Sequence, residues 1–199
     1  YMRQDRSFNE GEGITSVYFA QFLSSFLDRL ITFDPHLHRI KQLSEIYSIP
    51  TKTLHAEELI INWIKNNVTN PILIGPDSES EQWVSNAAKK INAPYVILQK
   101  NRKGDKEVEV SIPHVEKYMQ HTPVLVDDII STAKTMIQTV KHLKELKMKA
   151  SICIGIHAVF AGNAYQDLLN EGVESIITCN TISHPSNKID IAELIVSAI

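Results

Sequence analysis

The chain has 199 residues, of which 43% are hydrophobic, 22% charged and 7% aromatic, and these proportions exclude a disordered chain and a collagen-like repeat. Twenty Lys and Arg residues against 23 Asp and Glu residues give a net charge of −3, so no global positive field would draw the chain to nucleic acid or to an anionic membrane. Any phosphate binding must therefore be local.

Short β-branched runs alternate with longer amphipathic stretches, which is typical of an α/β protein with a parallel sheet flanked by helices. In chain order, strands are predicted over residues 30–33, 71–74, 95–98, 124–126, 150–156 and 175–178. Helices are predicted over residues 16–29, 55–67, 80–91, 132–146, 162–170 and 191–199. Ligands of such sheets bind beyond the carboxyl ends of the strands, so the residues that follow each strand are the candidates for function.

Two segments depart from this alternation. Residues 48–54 are rich in turn formers, and Pro50 cannot continue a helix, so this stretch is predicted to separate a unit of residues 1–50 from a unit of residues 51–199. The last helix, over about 189–199, is a candidate to pack back on the first unit. Residues 106–112 alternate charged and apolar side chains, as an antiparallel strand or hairpin arm does, and the charged residues 101–105 before them are predicted to form a mobile loop.

The first two candidate sites follow the first two strands. Asp34 and His36 offer a carboxylate two residues from an imidazole, a pair that can hold a divalent cation or orient the histidine toward a phosphate; a surface or core histidine is the alternative. Gly75 and Pro76 break the second strand and Asp77 follows, which suits a loop that binds a metal-polyphosphate. An acidic first helical turn is the alternative there.

The third candidate site comprises Lys100 and Arg102, which lie two residues apart after the third strand. In an extended segment this spacing puts both cations on one side. On a loop that closes, such a pair would stabilise the charge of a transferring phosphoryl group. An ordinary solvated basic loop is the alternative.

None of the seven glycines belongs to a dinucleotide or Walker phosphate motif. The strongest candidate is VLVDDIISTAKTM, residues 124–136, where Asp127 and Asp128 follow the predicted strand and the hydroxyls of Ser131, Thr132 and Thr135 stand where a helix begins. Helix N-terminal N–H groups and hydroxyls bind a phosphate monoester, and adjacent carboxylates accept hydrogen bonds from sugar hydroxyls. The alternative is a plain strand and a helix capped by Ser131 or Thr132.

In this order and combination, the motifs resemble the ribose-phosphate pyrophosphokinase family, also called phosphoribosyl-pyrophosphate synthetases, over nearly the whole chain. The matching segments are YMRQDR at 1–6, EGEGITS at 10–16, Asp-x-His at 34–36, Pro-Asp at 76–77, Lys-x-Arg at 100–102, VDDIIST at 126–132, GIHAVFAGNA at 155–164 and the last twenty residues. The resemblance implies a phosphoribosyltransferase-type parallel sheet, preceded by the remnant of a similar N-terminal domain of a longer protein. Ala133 and Lys134 replace the family's usual glycine pair, which reduces the backbone freedom of that loop.

The resemblance also implies a reaction, in which the diphosphoryl group of ATP passes to the anomeric hydroxyl of ribose 5-phosphate in the presence of Mg²⁺. It assigns ribose 5-phosphate to Asp127, Asp128, Ser131, Thr132, Ala133, Lys134 and Thr135, and ATP to Arg3, Gln4 and Asp5. It assigns the metal to His36, Asp77 and Asp34, and catalysis to Lys100, Arg102 and His36.

The same features admit other functions: a nucleobase phosphoribosyltransferase, a catalytically silent regulatory homologue, or a phosphoacceptor module. Cys153 and Cys179 lie in apolar runs and are predicted to be small buried hydrophobes. With no apolar stretch near the ~20 residues of a membrane span, these thiols favour the cytoplasm. The resemblance further implies a homo-oligomer.

Overall fold

The computed structural model describes residues 4–37, 39–75, 80–103, 107–111 and 115–199, with the side chains of residues 99–103, 107–111, 115 and 116 outside the description. The chain divides into two compact units. Unit 1 comprises the residues up to Ala56 together with Ala192–Ile199, and unit 2 comprises Glu57–Ile191.

The described residues of unit 1 form two α-helices and a two-stranded parallel sheet. Its elements are α1 (Thr15–Ser24), β1 (Leu30–Phe33), a 3-10 turn (Leu43–Glu45), β2 (Thr51–Leu54) and α6 (Ala192–Val196). Strands β1 and β2 pair in register from Leu30 opposite Thr51 to Phe33 opposite Leu54. A small core of Ala20, Leu43 and Tyr47 is buried in this unit.

Strand β2 corrects the prediction of a turn-rich boundary over residues 48–54. The carbonyl of Pro50 accepts a hydrogen bond from the Leu30 N–H at 2.9 Å, and the pairing with β1 continues from there. Proline is tolerated before the first residue of a strand because the missing N–H is not needed there. The four residues of β2 are too short and too polar to be recognised without their partner strand.

Unit 2 is built on a six-stranded parallel sheet in the order β10, β9, β8, β7, β3, β4. Its strands are β3 (Pro71–Gly75), β4 (Tyr95–Ile97), β7 (Thr122–Ile130), β8 (Ile152–Ala158), β9 (Ser175–Cys179) and β10 (Asn187–Ile189). Its helices are α2 (Glu57–Asn67), α3 (Glu81–Ile91), α4 (Lys134–Glu145) and α5 (Ala164–Asn170). This confirms the predicted α/β class with a parallel sheet.

The centre of the sheet is covered on both faces. Consecutive residues are buried in β3, β7 and β8, and since successive side chains of a strand point to opposite faces, both faces must be packed. Met136, Val140 and Leu143 of α4 join the core around Leu125 and Cys153. Burial raises the pKa of the Cys153 thiol to about 12, so this residue behaves as an apolar core residue, as predicted.

A separate antiparallel hairpin joins β5 (Gln99–Lys103) to β6 (Glu107–Ser111). It confirms the predicted hairpin arm but corrects the predicted loop over residues 101–105, because residues 101–103 belong to β5. The charged side chains and Gly104 suggested a loop, yet a two-stranded hairpin accepts charges on its exposed faces. No helix in the described part of the chain is long and apolar enough to cross a membrane.

Candidate functional site

The candidate site in unit 2 is the turn from β7 to α4. The Asp127 carboxylate accepts a hydrogen bond from the Asp128 N–H at 3.0 Å, and the Asp128 carboxylate accepts one from the Ile129 N–H at 2.7 Å. Each carboxylate therefore has an oxygen held by the following residue. The two half-buried residues lie within the last four positions of β7 rather than after the strand as predicted, because the pairing with β8 continues to Ile130.

The turn itself depends on Ala133, which precedes α4 with φ +54° and ψ +10°. This is the left-handed region, where a side chain costs about 1 kcal/mol or more relative to glycine. The helix begins at Lys134 rather than at the predicted residue 132, and no side chain caps it. The alternative interpretation of Ser131 or Thr132 as a helix cap is therefore wrong, and the first N–H groups of α4 are not occupied by a capping side chain.

The turn is tied to the neighbouring strand by its backbone. The N–H of Phe160 donates to the Ile130 carbonyl at 2.8 Å, and the N–H of Ala161 donates to the Ser131 carbonyl at 3.0 Å. Gly155 of β8 allows the side chain of Ile130 to lie against the strand, because a Cβ on Gly155 would be 2.6 Å from Ile130 Cδ1. Ile130 and Ser131, at the start of the turn, are thus held by Gly155, Phe160 and Ala161.

Two of the residues predicted to hold ATP are engaged within unit 1. The Gln4 amide accepts from the Thr15 N–H at 2.7 Å and donates to the carbonyls of Arg6 at 2.9 Å and Gly13 at 3.0 Å. The Asp5 carboxylate, with its side chain 7% exposed, accepts from Nη1 of Arg39 at 2.8 Å and from the Arg39 N–H at 3.0 Å. Both side chains therefore fix the segment that begins at residue 4.

The electrostatics of Asp5 follow from these contacts. The backbone N–H of Arg39, and then its guanidinium, hold the pKa of the Asp5 carboxyl below its ordinary value of 3.8. Asp5 is therefore charged at neutral pH and its charge is compensated locally.

The predicted metal ligand Asp34 follows β1 with φ +37°. Its carboxylate contacts Nδ1 of His55 at 2.8 Å and accepts the Ala56 N–H at 2.7 Å. His36 is half-buried two residues later. No group of three or more His, Cys, Asp or Glu side chains that could hold a metal ion occurs among residues whose placement is described.

The remaining predicted site residues can be placed only in part. Arg3 and Asp77 lie outside the described residues. For Lys100 and Arg102 the backbone alone is described, and it lies in β5 opposite Val110 and Val108.

Seven residues between Asp127 and Thr135 were predicted to bind ribose 5-phosphate. They lie in the end of β7, the turn that follows it and the first residues of α4. Three neighbours of the predicted residues were not expected from the sequence: His55, Phe160 and Ala161. His55 is 21 residues from Asp34, and no local pattern signals such a contact. A bulky residue at a positive φ, as at Phe160 (φ +41°), becomes visible only in the structure.

Comparison with known proteins shows which sequences and folds the chain is similar to. A model of the phosphoribosyl transferase domain matches residues 42–194. A ribose-phosphate pyrophosphokinase of Sulfurisphaera tokodaii is 30% identical over 197 residues, which cover 98% of this chain and 66% of the relative. A ribose-phosphate pyrophosphokinase 2 of Archaeoglobus fulgidus is 31% identical over 195 residues, which cover 98% of this chain and 69% of the relative.

A solved structure shows the same fold. The phosphoribosylpyrophosphate synthetase from Mycobacterium smegmatis superposes with a TM-score of 0.82 at 24% identity, covering 100% of this chain and 66% of that one. The chain therefore spans about two thirds of the length of the relatives it matches.

Proposed function

The chain belongs to the ribose-phosphate pyrophosphokinase family and carries its phosphoribosyl transferase domain, and from this premise we propose that it transfers the diphosphoryl group of ATP to ribose 5-phosphate. The products would be phosphoribosyl pyrophosphate and AMP. The observation that carries the proposal is the turn from β7 to α4, which joins two carboxylates, three hydroxyls and the start of a 12-residue helix.

Ribose 5-phosphate is proposed to bind at this turn. The first N–H groups of α4 lack partners within the helix, and with the helix dipole they attract the phosphate of the sugar. The hydroxyls of Ser131, Thr132 and Thr135 and the charge of Lys134 would add donors. The Asp127 and Asp128 carboxylates would accept hydrogen bonds from the ribose hydroxyls.

ATP is proposed to bind at the segment of Arg3, Gln4 and Asp5. The contacts of Gln4 with Thr15 and Gly13 and those of Asp5 with Arg39 support an indirect role for these two side chains. They would hold the backbone in one conformation and thereby lower the entropic cost of binding. Direct contact with the nucleotide is proposed for Arg3.

In the proposed reaction, the anomeric oxygen of ribose 5-phosphate attacks the β-phosphorus of ATP and loses its proton. The bond between that phosphorus and the oxygen bridging to the α-phosphate breaks, and AMP leaves with the bonding electrons. Charge develops on the attacking, leaving and non-bridging oxygens, so positioning and electrostatic stabilisation supply most of the rate enhancement. Lys100 and Arg102 are proposed to stabilise this charge.

Mg²⁺ is proposed to bind together with ATP. Mg²⁺ is usually held by one or two carboxylates and substrate phosphates rather than by a cage of protein ligands. The carboxylate of Asp34, which accepts the Ala56 N–H at 2.7 Å, would supply one such ligand. Asp34, His36 and Asp77 are the residues proposed to hold the ion, which when bound would neutralise phosphate charge.

A cytoplasmic homo-oligomer completes the proposal. The cytoplasmic location is supported by Cys153 and Cys179, which are both buried free thiols. The homo-oligomer rests on the family resemblance.

The experiment that tests the proposed function follows ATP, ribose 5-phosphate and Mg²⁺ by phosphorus NMR. The expected result is the appearance of AMP and phosphoribosyl pyrophosphate in equal amounts, with no AMP when ribose 5-phosphate is omitted. A parallel reaction supplies phosphoribosyl pyrophosphate and a nucleobase, and release of pyrophosphate there would instead indicate a nucleobase phosphoribosyltransferase. Binding of ribose 5-phosphate without turnover in either reaction would indicate a silent homologue.

A further inference from the structure

A cluster of three rings lies beside the turn from β7 to α4. The rings of Phe160 and His184 have centroids 4.5 Å apart with planes inclined by 33°. Tyr165 packs edge-on against both, at 5.1 Å from Phe160 and 4.7 Å from His184. These three residues are referred to below as the ring cluster, and none of them belongs to the site predicted from the sequence.

Phe160 links the ring cluster to the turn. Its N–H donates to the Ile130 carbonyl, and the next N–H, of Ala161, donates to the Ser131 carbonyl. Its φ of +41° is unfavourable for a bulky residue, because the Cβ approaches the backbone in the left-handed region. Such a conformation persists only where the surroundings hold it, and the ring of Phe160 is held by His184 and Tyr165.

His184 is itself fixed by hydrogen bonds. Its Nδ1 accepts the Ser186 N–H at 3.2 Å, which places the imidazole proton on Nε2 in the neutral ring. The same Nδ1 lies 2.7 Å from Ser186 Oγ, and Ser186 Oγ lies 2.8 Å from Thr178 Oγ1. The side-chain amide of Asn187 donates to Thr178 Oγ1 at 2.9 Å.

These contacts determine which atom is the donor and which is the acceptor in each hydrogen bond of the network. Because Nδ1 has no proton, the hydroxyl of Ser186 donates to it, and the hydroxyl of Thr178 must then donate to Ser186. Thr178 is fully buried and Ser186 is 2% exposed, so a hydroxyl deprived of its partner there would be costly. The network therefore holds the imidazole ring of His184 in one orientation against Phe160.

We propose that His184 is a positioning residue for the ribose 5-phosphate turn: its ring stabilises the strained conformation of Phe160, and the N–H groups of Phe160 and the adjacent Ala161 in turn hold the carbonyls of Ile130 and Ser131. The ligand part of this inference rests on the proposed function. The ordering of the turn by His184 does not, since it follows from contacts within the ligand-free chain.

Two variants of His184 distinguish the role of its ring from its role as a hydrogen-bond acceptor, and a third variant, at another histidine, is the control. His184→Asn keeps a short acceptor for Ser186 but removes the ring, whereas His184→Phe keeps a ring and removes the acceptor. His121→Asn is the matched control, since His121 packs edge-on against Tyr118 at 5.2 Å just before the start of β7, at the other end of the same strand.

The first measurement is amide hydrogen exchange in the ligand-free chain. In His184→Asn, the N–H groups of Phe160 and Ala161 are expected to exchange about tenfold faster, which corresponds to the loss of one aromatic pair. The same amides in His121→Asn are expected to exchange as in the wild type. Unchanged exchange in His184→Asn would overturn the ordering role of His184.

The second measurement is calorimetric binding of ribose 5-phosphate and of ATP. His184→Asn is expected to bind ribose 5-phosphate about tenfold more weakly with unchanged affinity for ATP, and His184→Phe within about threefold of the wild type. Equal losses of affinity for both ligands, or equal losses in both His184 variants, would overturn the role of the ring.

If the wild type binds no ribose 5-phosphate, the proposed function and the ligand part of the inference both fail. The exchange rates of the Phe160 and Ala161 amides still decide whether His184 orders the turn.

Discussion

The carboxylate of Asp5 binds Arg39 twice, through the guanidinium at 2.8 Å and through the backbone N–H at 3.0 Å. The two residues are 34 positions apart, and the contact joins the segment after residue 3 to the region that follows β1. Because both bonds go to the charged form of the carboxyl, the pKa of Asp5 is lowered in the folded state.

This contact predicts how the stability of the chain depends on pH. A carboxyl whose pKa is lowered in the folded state stabilises the fold fully when the pH is above its ordinary pKa of 3.8. This contribution is lost as the pH falls through the lower pKa of the folded state. The difference in the free energy of unfolding between the wild type and Asp5→Asn should therefore be largest near neutral pH and decrease as the pH falls below 3.8. Urea unfolding at several pH values measures it. The control is Asp28→Asn, which removes an exposed carboxylate of the same unit; an equal pH-dependent effect there would refute the assignment to Asp5.

Ala133 predicts a substitution that stabilises the chain. Replacing it by glycine removes the steric cost of φ +54° and should increase the free energy of unfolding by about 0.5–1 kcal/mol after the extra entropy of the unfolded glycine is subtracted. Thermal or urea unfolding would show it.

Lys147→Gly is the matched control for function. Lys147 has φ +59° just beyond the other end of α4, so the same substitution should stabilise the chain similarly without altering ribose 5-phosphate binding. A loss of stability in Ala133→Gly would mean that the methyl group makes a favourable contact that outweighs the strain.

Substitution of Gly155 by alanine is expected to destabilise the chain, in contrast to Ala133→Gly. In Gly155→Ala the new methyl carbon would lie 2.6 Å from both Cγ1 and Cδ1 of Ile130, so Ile130 must move, and the cost should be about 1–3 kcal/mol. The displacement would also disturb the adjacent Ser131. Unfolding of the two single variants and of Gly155→Ala with Ile130→Ala forms a double-mutant cycle, in which a coupling of about 1 kcal/mol or more is expected. Additive effects would show that the clash is relieved elsewhere.

The sequence predicted the sheet well because its central strands are continuous apolar runs. Such runs mark the buried strands of a parallel sheet wherever their partners lie. The short strands β2 and β10, with the sequences TKTL and NKI, carry no such pattern, since their place in a sheet depends on neighbours. Hairpin arm β6 was found because its alternation is local, and β5 was missed because its charges resemble those of a loop.

The candidate site, like the sheet, was predicted only where the signal lies in consecutive residues of the sequence. Asp127 and Asp128 could be identified because strand, acids and hydroxyls are consecutive in the sequence. The contacts of His184 with Phe160 and of Asp34 with His55 depend on tertiary structure, where residues more than 20 positions apart meet. Gln4 and Asp5 belong to the segment predicted to bind ATP, and the sequence did not reveal that both side chains form hydrogen bonds within the chain itself.

Lys100 is expected to act mainly in the transition state. If so, Lys100→Ala should lower turnover by a factor of about 10² to 10³ with little change in ribose 5-phosphate affinity, because the charge that the lysine stabilises develops only during transfer. Steady-state kinetics and calorimetry measure the two quantities. Lys103→Ala, three residues further along β5, removes the same charge and should change turnover much less; equal losses of affinity and turnover in Lys100→Ala would contradict the proposed role.

Asp128 is the residue whose charge most directly tests the proposed ribose site. One of its oxygens accepts the Ile129 N–H at 2.7 Å, and an asparagine can retain this bond through its carbonyl oxygen while losing the charge. Asp128→Asn should therefore keep the turn intact but weaken ribose 5-phosphate binding by about tenfold, since hydrogen bonds to a charged acceptor are worth more than those to a neutral one. Its affinity for ATP should change much less. Calorimetry with each ligand distinguishes the cases, with Asp167→Asn on the exposed side of α5 as the control for loss of a negative charge. A larger loss of affinity for ATP than for ribose 5-phosphate would contradict the proposed ribose site and assign Asp128 to the nucleotide, because neutralising a carboxylate weakens ATP binding only where that carboxylate makes a favourable contact with the nucleotide or its metal ion.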